Sequence, residues 1–195
     1  YQDIDGWGGC FSEIGWQALL SLSTAARRAV VGEMFDPASG CKFTLCRVPI
    51  GASDFALSYY SLNDSTGDYA MNNFSIARDR QYLIPFIKAA MEFQPALKIW
   101  GSPWTPPQWM KTNNHYAGGS IRWDPQTLTA YALYLAKFVE SYRAEGINVY
   151  AVFTQNEPAS EQVFPSCLWS GVTLRDFIRD YLGPTFRNRS VNAEL

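Results

Sequence analysis

An amide, a carboxylate and a proline follow one another directly after an apolar stretch of the sequence. Asn156, Glu157 and Pro158 come after "YAVFTQ", whose apolar residues predict a buried strand. Because proline restricts the residue before it to extended backbone, we expect Glu157 to project in one fixed direction. Aromatic rings in neighbouring loops would desolvate its carboxyl group and favour the protonated form. A protonated Glu beside an amide is suited to general acid catalysis on a sugar. A lone Glu at a strand end more often caps a helix or pairs with an arginine, and that alternative stays open here.

Three further residues lie within a predicted strand or just beyond its end. Asp54 follows "VPIGAS", where a carboxylate can accept hydrogen bonds from two adjacent hydroxyl groups; a simple Asp turn is the alternative. Trp104 stands in "SPWTPP", whose prolines stiffen the loop and lower the cost of ordering it on binding; a packed loop ring is the alternative. Arg47 lies inside an apolar strand and therefore needs a carboxylate partner. Two more loop tryptophans are candidates for outer sugar-binding rings: Trp123 and Trp169.

The composition is that of a globular chain with one domain. It has 195 residues, of which 47% are apolar and 17% charged, and its 16 basic and 18 acidic side chains give a net charge of -2. This charge offers no electrostatic basis for binding nucleic acid, and no apolar run reaches the roughly 18 residues of a membrane span. The first residues, "YQDIDGW", contain neither an initiator Met nor a signal peptide, so we expect a processed or excised piece.

Histidine and cysteine usage excludes several kinds of site. His115 is the only histidine, which rules out a zinc site built on two or three histidines; a Ser-His-Asp triad would need it at its centre. No Cys-x-x-Cys pair occurs, so neither a zinc ribbon nor a thioredoxin-type redox site is indicated. Buried thiols are favoured over one disulfide, and the choice stays open for Cys10, Cys41, Cys46 and Cys167.

Strand and helix patterns alternate along the chain. Continuous apolar strands between helices predict a parallel sheet covered by helices. The loops that follow the strands carry nearly every Trp, Asn and Asp of interest, which is typical of the active face of a (β/α) barrel. About four β/α units are visible, whereas a closed barrel has eight, so we interpret the chain as half a barrel, with another open α/β sheet as the alternative. Strands are predicted at 1–9, 41–51 and 96–102, and a turn followed by a strand at 145–158. Helices are predicted at 24–35, 82–93 and 125–142, with a last helix that ends at Gly183-Pro184.

Several segments, in order along nearly the whole chain, resemble the glucosylceramidase-type retaining β-glycosidases of glycoside hydrolase family thirty. They are "GWGGCFSE", "CRVPIGASDF", "GDYAMNNFSI", "GSPWTPPQWMKTN", "QNEP" and "RDFIRDYLGPT". One such string is weak evidence, but five or more in register are specific. The resemblance implies a (β/α)8 TIM barrel with an added β-sandwich domain, no cofactor and no metal. This chain would supply roughly the first four β/α units.

The resemblance also implies a role for each candidate residue. Glu157 matches the general acid/base at the end of strand four, and Asn156 matches the residue that bonds the sugar 2-hydroxyl. Asp54 and Trp104 match residues that bind the non-reducing sugar. Arg47 matches an arginine of strand two that sits against the nucleophile, so the carboxylate partner it needs is either this nucleophile or a local Asp or Glu.

A second catalytic carboxylate is not found in the sequence. A retaining glycosidase needs two carboxyl groups about 5–5.5 Å apart. In the resembled family the nucleophile follows strand seven, whereas this chain ends soon after its fourth unit; Glu161 is close along the loop but not excluded. We therefore expect residues 1–195 to be the N-terminal part of one barrel domain, with the remaining units and the β-sandwich on a separate chain or in a missing part. The isolated chain is predicted to be inactive and to expose strand edges.

Two functions are compatible with these residues. The first is a retaining β-glucosidase acting on glucosylceramide, a β-1,6-glucan or another β-linked glucoside; Asp54 together with "GDYAMNNFSI" favours a glucoside over a glucuronoxylan. The second is a catalytically incomplete half-barrel that binds sugar or assembles with itself. A third reading, an unrelated metal-free α/β enzyme, has no motif of its own. The resemblance implies an extracellular, periplasmic or lysosome-like location and no transmembrane segment.

Overall fold

The computed structural model describes residues 2–195 and is built on three parallel strands. They are β1 (Leu45–Ile50), β2 (Lys98–Pro103) and β3 (Val149–Val152), paired in the order β1-β2-β3. Within the sheet, Arg47 lies opposite Trp100, and Trp100 lies opposite Ala151. The predicted parallel sheet is confirmed, although each strand is shorter than its apolar pattern.

Both edges of this sheet carry one more short pairing. At the β1 edge, the Gly9 carbonyl accepts a hydrogen bond from Arg47 N at 3.0 Å, which gives a parallel bridge at Cys10. Over the described residues 2–9 the predicted strand is therefore wrong, because regular pairing is confined to this bridge; the first residue of the prediction lies outside the described residues. At the β3 edge, Glu194 N donates to the Tyr150 carbonyl at 2.8 Å. Five adjacent chain segments thus run in parallel, as consecutive strands of a barrel do.

Helices separate the strands and cover one face of the sheet. Their bounds are α1 Glu13–Leu20, α2 Thr24–Phe35, α3 Leu83–Met91, α4 Pro125–Ala144, α5 Gly171–Phe177 and α6 Gly183–Asn188, with a π-helical turn at Ile178–Leu182 between the last two. Asp124 caps α4 by accepting a hydrogen bond from Thr127 N at 2.9 Å, as the Asp-Pro start predicts.

The predicted end of the last helix at Gly183-Pro184 is wrong. The π-helical turn that precedes Gly183 leads directly into α6, whose first turn contains Pro184. A proline inside an α-helix clashes with the carbonyl four residues earlier and leaves it without a donor. The wider π turn shifts that hydrogen-bond register, so the helix continues past the proline.

Aromatic side chains of α4 form the centre of the core. Tyr131, Tyr134, Phe138 and Tyr142 are fully buried. Gly101 of β2 lies directly under this helix, since a Cβ atom there would come within 2.9 Å of Phe138 Cε1. The absence of a side chain at this position lets α4 approach the sheet closely.

The cysteines only partly follow the sequence prediction. Cys46 and Cys167 are buried, whereas Cys10 and Cys41 are exposed, and all four are free thiols. The prediction of thiols rather than a disulfide is therefore confirmed, but the prediction that all are buried is wrong for two of them.

Candidate active site

The structure brings the predicted site residues to one edge of the sheet. Arg47 lies within β1 and Asp54 follows that strand, Trp104 comes directly after β2, and Asn156 and Glu157 lie in the loop after β3. Because the strands are parallel, these segments all meet at the carboxyl ends of the strands. In α/β folds this is the edge at which ligands bind.

Arg47 connects the ends of all three strands. Its Nη2 donates to Asn156 Oδ1 at 2.7 Å and to Ser102 Oγ at 2.9 Å. The guanidinium also lies 4.0 Å from the centre of the Trp104 ring and 4.9 Å from that of Trp100, within the range of cation–π interactions. With its Oδ1 occupied by Arg47, Asn156 has its Nδ2 left to donate, and no side chain or carbonyl within 2–195 accepts from it.

The guanidinium has no carboxylate bound to it within the described part of the chain. None of the ion pairs among residues 2–195 includes Arg47, and its Nε is buried without a hydrogen-bond partner. Burial lowers the pKa of Arg47, and the more distant Asp54 and Glu157 carboxylates oppose that shift. A half-buried cation with an unused donor is costly to keep in the fold.

Asp54 and Trp104 line the same cleft, which we call the Asp54 cleft. The cleft has a volume of about 340 Å³, and Trp104 is only 6% exposed, whereas Asp54 is exposed. This is the size and mixed polarity of a small-ligand site. Its lining residues are Cys10, Ser12, Arg47, Ser53, Asp54, Phe55 and Trp104.

Cys10 and Ser12 were missed as lining residues from the sequence. Cys10 belongs to the segment that pairs with the edge of β1, and Ser12 follows it as the N-cap of α1, so the position of both depends on that pairing. The available signal was the glycine-rich "GWGG" before them, because a side chain on Gly8 would collide with the Leu45 carbonyl of β1. Glycines that allow close backbone approach indicate such a docked segment.

Glu157 is exposed at the rim of this edge and does not itself line the Asp54 cleft. It is joined to the cleft through its neighbour Asn156, which holds Arg47. Its φ is +45°, so the predicted extended backbone is wrong. A left-handed conformation costs a residue other than glycine about 1–3 kcal/mol, and such strain concentrates at functional sites. The predicted aromatic enclosure of its carboxyl group is not provided by the described residues.

The two outer tryptophans lie together beside the loop of Glu157. Trp123 is 49% exposed and Trp169 is 6% exposed, and their ring centres are 6.3 Å apart in an edge-on arrangement. Both line a second cleft, with Ser120, Ile121, Leu168, Ser170 and Thr173. Only Trp123 therefore offers a free ring face.

Two other properties concern the whole of the described chain. No group of three or more His, Cys, Asp or Glu within residues 2–195 has the geometry to hold a metal ion. None of the helices in the same range is both long and apolar enough to cross a membrane.

A parallel sheet flanked by helices, with a carboxylate, an amide, an arginine and a tryptophan at its carboxyl edge, has the architecture of part of a (β/α) barrel. Residues 4–195 match the model of the glycosyl hydrolase family 30 TIM-barrel domain. The chain belongs to this family, and the resemblance of its motifs is confirmed.

Relatives and solved structures agree with the family and share its barrel. The chain is 35% identical to putative glucosylceramidase 1 of Caenorhabditis elegans and 30% identical to the lysosomal acid glucosylceramidase of Mus musculus; in both cases the whole chain matches 39% of the relative. A solved endo-β-1,6-glucanase superposes with a TM-score of 0.92 at 31% identity, over 99% of this chain and 44% of that one. The chain thus spans less than half the length of these proteins and corresponds to the first part of the barrel.

Proposed function

We propose that residues 1–195 carry the general acid/base of a retaining β-glycosidase that cleaves β-linked glucosides. The observation that carries this proposal is the 2.7 Å hydrogen bond from Arg47 to Asn156. This bond fixes the residue next to Glu157 against the guanidinium, which stacks on Trp104 in the Asp54 cleft. The acid, the amide and the sugar-binding residues thereby share one edge of the sheet.

In the proposed reaction, Glu157 donates its proton to the glycosidic oxygen as the bond to the anomeric carbon breaks. A second carboxylate, the nucleophile, attacks that carbon from the opposite face and forms a covalent glycosyl-enzyme. Glu157, now ionised, takes a proton from water as the water displaces the nucleophile. Asn156 Nδ2 is free to bond the sugar 2-hydroxyl, and the Asp54 carboxylate accepts hydrogen bonds from hydroxyls of the same ring while Trp104 packs beside it.

The nucleophile is proposed to lie outside residues 1–195. Arg47 supports this, because its guanidinium is half-buried at the site, has an unpartnered Nε and binds no carboxylate of the described chain. A carboxylate placed there from the remaining barrel units would pair with it and be held ionised. The partner of this chain is thus the complementary half of the barrel, and we expect the isolated chain to be inactive.

The substrate class follows from the site and from what the relatives are called. Asp54 suits a glucosyl unit with free hydroxyls, and the relatives include glucosylceramidases and endo-1,6-β-glucanases. We therefore propose a glucosyl glycolipid or a β-1,6-glucan as substrate. Such substrates fit an extracellular, periplasmic or lysosome-like location.

The proposal is tested by measuring hydrolysis of 4-nitrophenyl β-glucoside by the parent protein. The parent protein is the natural product of the gene that encodes this chain. Glu157→Gln should lower kcat by about 10²–10⁴-fold, because an amide cannot transfer the proton. Glu161→Gln is the matched control on the same loop and should stay within about threefold of the unchanged enzyme. Equal losses in both variants would instead point to Glu161 as the second carboxylate.

A sugar-binding or assembly module without turnover is the second candidate. It is favoured by the lack of a carboxylate bound to Arg47 among residues 2–195. The parent protein would then bind β-glucosides without hydrolysing them, and Glu157→Gln would have no activity to remove.

A further inference from the structure

Lys111 is a fully buried lysine of the loop that begins with Trp104, and its ammonium group reaches the loop that carries Glu157. It is 0% exposed, and its Nζ donates to the Tyr116 carbonyl at 2.8 Å and to the Ser166 carbonyl at 2.6 Å. No carboxylate within residues 2–195 forms an ion pair with it. Burial lowers the pKa of Lys111 to about 8. Burying an ammonium group without a carboxylate costs free energy, and its hydrogen bonds to the two carbonyls offset part of that cost.

The two carbonyls belong to different loops. Tyr116 lies in the loop after β2 (residues 104–124), which begins with Trp104. Ser166 lies in the loop after β3 (residues 153–170), which contains Glu157. Lys111 thus connects the loop of a proposed sugar-binding residue to the loop of the proposed acid.

Further hydrogen bonds join the same two loops around the ammonium group. Ser166 N donates to the Tyr116 carbonyl at 3.0 Å, Gly118 N donates to Ser166 Oγ at 2.8 Å, and Leu168 N donates to the Gly119 carbonyl at 2.8 Å. The loop after β3 then closes on itself, because Trp169 N donates to the Pro158 carbonyl at 2.8 Å. This last bond restrains Pro158, the residue next to Glu157.

We infer that Lys111 is a positioning residue for Glu157, holding the loop after β3 against the loop after β2. The inference rests on the proposed function of Glu157 as the acid. Glu157 is exposed and has a strained backbone, so its own contacts do not fix it. The Lys111 ammonium group holds Glu157 indirectly. It binds the Ser166 carbonyl, and the loop of Ser166 is closed by the hydrogen bond from Trp169 N to the Pro158 carbonyl. Without Lys111 the Ser166 carbonyl loses its donor and the Tyr116 carbonyl keeps only Ser166 N, so the loop can move away from the Asp54 cleft.

The dependence of kcat/KM on the leaving group distinguishes a residue that positions the acid from a residue that only stabilises the fold. Protonation of the leaving oxygen matters greatly for a basic leaving group and little for 2,4-dinitrophenolate, which departs without help. In the parent protein, Lys111→Met should lower kcat/KM for methyl β-glucoside by about 10- to 100-fold, as expected for a displaced catalytic group. For 2,4-dinitrophenyl β-glucoside the same change should cost no more than about threefold.

Two variants serve as references in the same assay. Glu157→Gln should show the same pattern more strongly; if it does not, the proposed function itself fails, independently of Lys111. Lys137→Met is the matched control, since Lys137 Nζ also donates to a loop carbonyl, that of Met71, at 2.5 Å. It should leave the ratio of the two kcat/KM values unchanged.

Ser166→Ala provides a second, milder test if Lys111→Met does not fold. It removes the acceptor of Gly118 N but keeps the carbonyl that Lys111 binds. It should shift the ratio in the same direction by about 3- to 10-fold. If Lys111→Met or Ser166→Ala lowers kcat/KM equally for both glucosides, or for neither, while Glu157→Gln shows the leaving-group dependence, the positioning role is overturned.

Discussion

The carboxyl group of Asp79 is fully buried beneath α3 and α4, and this makes the stability of the fold depend on pH. Its Oδ1 accepts a hydrogen bond from the Tyr60 hydroxyl at 2.9 Å, and its Oδ2 accepts one from the Tyr142 hydroxyl at 2.8 Å. Burial raises the pKa of Asp79 to about 7, although both tyrosine hydrogen bonds favour the ionised form. Glu13 adds to the rise and Arg78 opposes it.

The sign of the effect follows from the two protonation states. An unfolded chain loses this proton near pH 3.8, whereas the folded chain keeps it until about pH 7. The folded state therefore binds more protons between these values, and stability falls as pH rises through this window. The full difference corresponds to about 4 kcal/mol, of which about 3 kcal/mol falls between pH 4.5 and 7.5.

Urea unfolding of the parent protein and of Asp79→Asn at these two pH values measures this quantity. The amide keeps the shape and cannot ionise, so the difference between the two proteins isolates the Asp79 carboxyl group. The free energy of unfolding should drop by about 3 kcal/mol more in the unchanged protein than in Asp79→Asn. Equal pH dependence of the two proteins would refute a buried carboxyl that titrates near neutrality.

Two further predictions concern the elements that position the site. Gly8→Ala would press a Cβ atom against the Leu45 carbonyl and should cost about 1–3 kcal/mol in urea unfolding. Gly9→Ala, where nothing lies within 4 Å of the added atom, should be close to neutral; equal effects would disprove the close approach to β1. Asp124→Ala removes the acceptor for both Thr127 N and its hydroxyl and should destabilise α4 by about 1 kcal/mol, seen as a lower urea midpoint. An unchanged midpoint would show that this cap does not contribute.

Long, strongly patterned elements could be predicted from the sequence, and short ones could not. Helix α4 has an Asp-Pro start and a full apolar stripe, so local sequence determines it. Helix α1 buries only Glu13 and Trp16 and gives no comparable pattern. The last helix passes Pro184 only because a π turn precedes it, and such a turn leaves no mark in the local apolar pattern.

The candidate site likewise has features that the sequence predicts and features that it does not. Parallel strands place Arg47 and Asn156 at one edge, so their proximity could be anticipated from the order of the elements. The backbone of Glu157 could not, because the local effect of Pro158 is overridden by hydrogen bonds formed by its neighbours. The burial of Lys111 could not be predicted from its local sequence, because it depends on Ser166, which is distant in sequence.

The central claim is that the catalytic pair is divided, with Glu157 in this chain and the nucleophile beyond it. Inactivation of the parent protein with 2,4-dinitrophenyl 2-deoxy-2-fluoro-β-glucoside, followed by peptide mass spectrometry, locates the nucleophile directly. A fluoroglucosyl group on a Glu outside residues 1–195 is the predicted result. A fluoroglucosyl group on Glu161 or any other carboxylate of this sequence would contradict the account.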